Sequence, residues 1–114
     1  MQFGMPTLIE NKTLEDNIAL CSRLGLKFIE LNMNFPEYQL EKLEETDTFI
    51  KAAEEAGIYY TIHLDENLNI ADFNSLVSEA YLETVRRTIE DAKNFFLCGI
   101  NMAIRLSRLL SICT

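Results

Sequence analysis

Tryptophan is absent from this 114-residue chain, histidine occurs once, and only four glycines and two prolines punctuate it. The glycines (Gly4, Gly25, Gly57, Gly99) never cluster as GxGxxG or GxxxxGK, so neither common phosphate-cradling loop is encoded. Three cysteines, Cys21, Cys98 and Cys113, are odd in number and form no CxxC pair, which argues against a disulfide framework or a zinc ribbon. A reducing cytoplasm is the location this implies. No basic region followed by a long apolar run opens the chain, so no targeting segment is expected. The most apolar stretch, residues 95–104, is interrupted by Asn101 and falls short of the roughly 20 residues a membrane span requires.

Basic residues are also scarce. Ten Lys and Arg face eighteen Asp and Glu, a net charge of -8 that repels nucleic-acid phosphates and anionic membranes alike. The expectation is no nucleic-acid partner and no membrane partner. Every acidic residue lies at or before Asp91, so residues 1–93 hold 8 basic and 18 acidic side chains (-10), while Asn94–Thr114 carries +2. That break divides the chain into an expected folded unit, 1–93, and a divergent tail, 94–114.

What is present suits one modest globular core, with 48% hydrophobic and 25% charged residues. Gln2 to Met5 is a short apolar segment that Pro6 stops, and it reads as a first strand. Thr13 has the character of a helix N-cap, with Glu15 and Asp16 in the first turn, and Leu14, Ile18, Cys21 and Leu24 recur at helical spacing until Gly25. Leu26 to Met33 follows at once, as a strand does when it returns after a crossover helix. Within it Glu30 is a carboxylate among apolar neighbours, which must be paired, for instance with Lys27, or face a polar cavity.

Leu40, Leu43, Ile50, Ala53 and Gly57 mark a second helix, expected to start late or break near Thr46 to Thr48. Ile58 to Leu68 then forms the centre of the arrangement: β-branched and aromatic for five residues, abruptly polar at His63. A parallel strand covered on both faces reads this way where it emerges into a site. His63 is also the one side chain whose ordinary pKa allows proton exchange near neutral pH. Asp65 to Asn74 is rich in turn-forming Asp and Asn, and Asp65 and Glu66 read as loop residues rather than ligands. Val77, Tyr81, Val85, Thr88 and Ala92 define the apolar face of a third helix. In the tail, Ile100, Met102, Ile104 and Leu106 alternate as in a strand, whereas Ala103, Leu106, Leu110 and Cys113 suit a helix.

Strand-helix repeats of this kind predict a parallel α/β architecture, either a flavodoxin-like open sheet or three to four repeats of a (β/α)8 TIM barrel. Four stretches carry a family resemblance: Phe3-Gly-Met-Pro6, Leu24 to Asn32 (LGLKFIELN), Ala56 to Leu64 (AGIYYTIHL) and Glu66 to Asn69 (ENLN). Together they resemble the opening repeats of the xylose-isomerase-like TIM barrels, over about residues 1–93. The resemblance implies descent from a sugar phosphate isomerase or epimerase, with an apurinic endonuclease of the endonuclease IV type as the alternative. A non-catalytic α/β module that self-associates through exposed sheet edges is a third reading.

By that resemblance His63 is a catalytic and metal-ligand position, and Glu30 a catalytic position facing the barrel mouth. The implied cofactor is a divalent metal (Mn, Mg or Zn), the implied ligand a sugar or sugar phosphate, and the implied chemistry metal-assisted proton transfer next to a carbonyl. The family's other metal ligands belong to later strands, and where it often has Asn-Met-His this chain has Asn101-Met102-Ala103. The tail is therefore expected to be a degraded fourth strand or a replacement by truncation or frame shift, and the chain by itself is expected to bind metal weakly and to be inactive.

Overall fold

A computed structural model describes residues 1–97 and 103–105 of the chain. Four strands, β1 (Gly4–Pro6), β2 (Phe28–Asn32), β3 (Tyr59–His63) and β4 (Ala103–Arg105), form one sheet in the order β1-β2-β3-β4. All three pairings are parallel, with Ile29 opposite Met5 and Tyr60, and His63 opposite Asn32 and Arg105. A flavodoxin-like sheet would place β1 between β2 and β3, and that order is not found. Here each strand lies beside its predecessor, and right-handed crossovers then lay every helix on the same side. Of the strand and helix readings of the tail, a strand is found at Ala103–Arg105; the rest of Cys98–Thr114, with both of its cysteines, lies outside the described residues.

Two glycines return the chain to the sheet by the same device. Helix α1 (Leu14–Arg23) starts at Thr13, whose Oγ1 accepts the Asp16 N–H at 3.1 Å, and Gly25 turns left-handed (φ 70°) after it. The Leu26 N–H then reaches back to the Cys21 carbonyl at 2.9 Å. Helix α3 (Thr46–Ala56) ends likewise at Gly57 (φ 68°), with the Ile58 N–H on the Ala53 carbonyl at 3.1 Å. A side chain at either glycine would meet the left-handed backbone penalty, so the cap selects glycine.

The second helix is two helices. After a 3-10 turn at Pro36–Tyr38, α2 (Leu40–Leu43) stops, and α3 begins at Thr46 after two intervening residues. The break comes at Glu44–Glu45, slightly ahead of the expected Thr46 to Thr48. A continuous helix that buries Leu43 would carry Asp47 and Lys51 inward at helical spacing. The interruption resets the phase so that Phe49 and Ala53 are buried instead.

Period-two alternation splits β2 and β3 into two unlike faces. Ile29, Leu31, Tyr60 and Ile62 are fully buried against the helices, together with Cys21, Leu43, Phe49 and Ala53. Each large aliphatic or phenyl side chain among them contributes on the order of 1.5–3 kcal/mol of burial. Tyr60 places its hydroxyl on the Phe49 carbonyl at 2.8 Å, which satisfies the one polar atom it carries inward. The opposite face bears Phe28, Glu30 and Asn32 beside Tyr59, Thr61 and His63, and of these only Thr61 is buried. The face is mixed, aromatic at its amino end and polar at its carboxyl end.

Helix α4 (Ser75–Leu97) begins at Asn74, whose Oδ1 accepts the Leu76 N–H at 3.2 Å. At 23 residues it is about 34 Å long, roughly twice the length of a five-residue strand. No residue from Ser75 to Thr84 is buried, and contact with the core starts at Val85 and continues through Thr88 and Ala92. The expected apolar face is thus used only in its second half, and the helix runs past the charge break at residue 94.

Candidate functional site

His63 is the last residue of β3, where the sequence places it. Its carbonyl accepts the Met33 N–H at 2.9 Å, so the backbone beneath the imidazole is held by the ladder to the end of β2. Glu30 lies at the middle of β2, with two residues following it in that strand, and its register partner is Thr61. It nevertheless lies on the same face as His63 and one step diagonal to it. The Nδ1 of His63 and Oε1 of Glu30 are 3.6 Å apart, with 29% and 18% of the side chains exposed. That separation is too long for a good hydrogen bond and short enough for an ion pair when the imidazole is protonated. The structure thus brings together the two side chains singled out from sequence.

The loops above them are stitched into a collar. Thr7 spans β1 and β2: its N–H donates to the Glu30 carbonyl at 3.0 Å, and its Oγ1 accepts the Asn32 N–H at 3.2 Å. Asn34 Oδ1 accepts the Glu66 N–H at 2.9 Å, tying the loop after β2 to the loop after β3. Gln39 donates to the Met33 carbonyl and to Asp65 Oδ2. Asp65 also accepts the Asn67 N–H at 2.8 Å, the turn role expected of it. Aspartate and asparagine engaged in this way fix the loop rather than offer free ligands.

Asn17 is a structural residue that sequence reasoning passed over. Fully buried on α1, its Oδ1 accepts from the Leu8 N–H and Asn11 Nδ2, and its Nδ2 donates to the Thr13 carbonyl and the Tyr38 hydroxyl. An amide on the inner stripe between Leu14, Ile18 and Cys21 was the available signal. Burial pushes the Tyr38 hydroxyl above its ordinary range, with Asn17 acting the other way. Burial also raises the Cys21 thiol, whose sulfur lies 3.6 Å and 3.7 Å from the Leu26 and Phe28 carbonyls. A thiol held neutral there is a packed core group rather than a nucleophile.

The open face has a floor at its amino end. Phe28 and Tyr59 stack with centroids 5.2 Å apart, and the Tyr59 hydroxyl donates to Gln2 at 2.8 Å. Phe28 lies flat over Gly4, where a Cβ would come within 2.3 Å of its ring, so the approach of β1 to this aromatic requires glycine. Gly4, Met5, Pro6, Phe28 and Glu30 line a shallow hollow of about 170 Å³ here. Thr61 Oγ1 is buried on the same face and has no hydrogen-bond partner among the described residues.

The implied divalent metal can be tested against this donor set. His63 and Glu30 supply one nitrogen and one carboxylate, and among the described residues no group of three His, Cys, Asp or Glu side chains is placed to hold an ion. A catalytic zinc takes three protein ligands and a water. The pair does not complete such a site, so no metal-dependent step is assigned to it. Its intrinsic capacity is proton exchange through the imidazole. Among the described residues no helix is long and apolar enough to cross a membrane. Compared with known proteins, the chain matches no family model, no curated protein and no solved structure.

Proposed function

We propose that residues 1–105 are the opening half of a (β/α)8 barrel of the xylose-isomerase-like type, from a sugar phosphate isomerase or epimerase, and that Glu30 and His63 are the part of its site that these strands supply. The supporting observation is the position of the pair: 3.6 Å apart, on the sheet face away from the helices, toward the carboxyl ends of neighbouring parallel strands. Barrel enzymes of this class assemble their chemistry at that end. In the proposed role His63 moves a proton at Nδ1 or Nε2, and Glu30 orients the ring. A sugar or sugar phosphate is the ligand class this reading implies. An apurinic endonuclease is disfavoured by the net charge of -8, which would resist a DNA backbone.

The chain by itself binds a divalent ion weakly under this reading and turns over no sugar. The test is a titration with Mn²⁺ followed by proton NMR of the single histidine. Selective broadening of the His63 ring at millimolar metal, lost in Glu30→Gln, is the expected result. Micromolar affinity would show that the chain completes a site of its own, and an unaffected ring would remove His63 from any metal-linked role.

A further inference from the structure

The loop that follows β1 and the turn that follows β2 face each other across a hollow of about 210 Å³, walled by residues from 8–12 on one side and 35–38 on the other. It shares no residue with the Glu30–His63 pair. Its two walls are fixed to one another by a single side chain. Fully buried Asn17 accepts the Leu8 N–H at 3.1 Å and Asn11 Nδ2 at 3.2 Å through Oδ1, and donates through Nδ2 to the Tyr38 hydroxyl at 3.0 Å. Each wall is also closed on itself, with the Asn11 N–H on the Leu8 carbonyl at 3.1 Å and the Tyr38 N–H on the Phe35 carbonyl at 3.0 Å. The hollow is therefore a pre-formed shape rather than a gap between independent loops, and preorganisation lowers the cost of binding.

Size, polarity and charge restrict what it can hold. At roughly 30 Å³ per water, 210 Å³ has room for about seven, and it falls below the range of about 300–1,000 Å³ in which drug-sized ligands sit, so a nucleotide is too large. Leu8, Ile9, Phe35 and Pro36 give it an apolar lining, and Ile9 is left 68% exposed at the surface. Charges of opposite sign stand on opposite walls, Lys12 on one and Glu37 on the other. Both are exposed, and neither makes an ion pair among the described residues. The Tyr38 hydroxyl accepts from Asn17, while its own proton meets no acceptor among the described residues. Burial raises the pKa of that hydroxyl first, and the charges of Glu37, Glu15 and Asp16 raise it further, so three carboxylates act at this phenol. A simple anion is disfavoured in that field, and a simple cation leaves Lys12 unanswered.

We infer that this hollow binds a small apolar amino acid as its zwitterion, with the ligand's ammonium at Glu37, its carboxylate at Lys12 and its side chain on the apolar lining. The inference goes beyond the isomerase reading and does not rest on it.

The test is an amide-resolved NMR titration of the whole 114-residue chain with leucine. Saturable shifts at the Leu8, Ile9, Asn11 and Tyr38 amides are expected, with a Kd on the order of 1 mM for so small a ligand. Isoamylamine, which lacks the carboxylate, and isocaproate, which lacks the ammonium, should each bind about fivefold more weakly. Lys12→Met and Glu37→Gln should each weaken leucine about fivefold and leave the remaining spectrum unchanged, because both side chains are exposed. Shifts confined to other residues, or no saturation at the solubility limit of leucine, would overturn the site. Equal binding of either analogue, or unchanged affinity in either variant, would overturn the zwitterion. The manganese titration reports on His63 alone, so a failure here leaves the Glu30–His63 assignment standing, and the reverse holds too.

Discussion

On the side of the sheet that meets the helices, Ile29, Leu31, Tyr60 and Ile62 are fully buried; one residue away along the same strands, Phe28, Glu30, Asn32, Tyr59 and His63 remain partly open. Both sets share the same backbone hydrogen bonds, so the ladder does not distinguish them. The difference is what lies opposite. Helices α1, α3 and α4 supply apolar partners on one side, and the described residues supply nothing comparable on the other. Stability therefore resides in one face, and the side chains capable of chemistry are on the face that contributes least to it.

The largest effect that would expose this asymmetry comes from paired truncations. Leu31→Ala removes a fully buried side chain from the helix side and should cost about 3 kcal/mol in denaturant unfolding. Tyr59→Ala, on the open side, loses one stacking partner and one exposed hydrogen bond and should cost about 1 kcal/mol. Equal costs would mean that the open face is covered in solution.

Which of these features could be read before the fold was seen depends on the range of the interactions behind them. The Thr13 cap, the two glycine stops and the emergence of His63 at the end of β3 are set by residues within a few positions of each other, and all were legible. Glu30 was recognised as an anomaly, but its depth in β2 and its approach to His63 depend on the register between strands 31 residues apart in sequence at Asn32 and His63. Nothing local specifies that register. Asn17 was missed for the same reason, since its hydrogen bond to Tyr38 spans 21 residues. The split between α2 and α3 was half visible: weak helix formers mark the neighbourhood, while the phase reset that buries Phe49 is a demand of the sheet.

Polar groups inside the helix layer provide a finer version of the same comparison. Asn17 is fully buried with both ends of its amide engaged, and removing it strands the Leu8 N–H and the Tyr38 hydroxyl. Asn17→Ala should cost about 2 kcal/mol, within the range for leaving buried donors unpaired. Tyr38→Phe in the same background should then cost less than it does alone, because the two changes remove opposite ends of one hydrogen bond. Additive losses would show that the amide and the phenol act independently.

Asp91, on α4, is the opposite case: a carboxylate buried in the same layer, with Oδ2 lacking a hydrogen-bond partner among the described residues. Burial, reinforced by the nearby charges of Glu44 and Glu90 and opposed by Arg87, pushes its pKa from the ordinary 3.8 up to about 6. The folded state therefore holds this proton more tightly than the unfolded chain does. Its favourable contribution is complete below pH 3.8 and is lost as pH rises toward about 6, after which the ionised carboxylate is a constant cost. Water at the edge of the Arg87–Glu44 pair screens part of that cost, leaving about 1 kcal/mol. Asp91→Asn removes the ionisation, so the stability of the variant minus that of the parent should increase by about this amount between pH 4 and pH 6.5 and be level above it. Using the difference cancels the titration of the other seventeen carboxylates. A flat difference curve would mean that Asp91 finds a donor in solution, making it a satisfied polar group like Asn17.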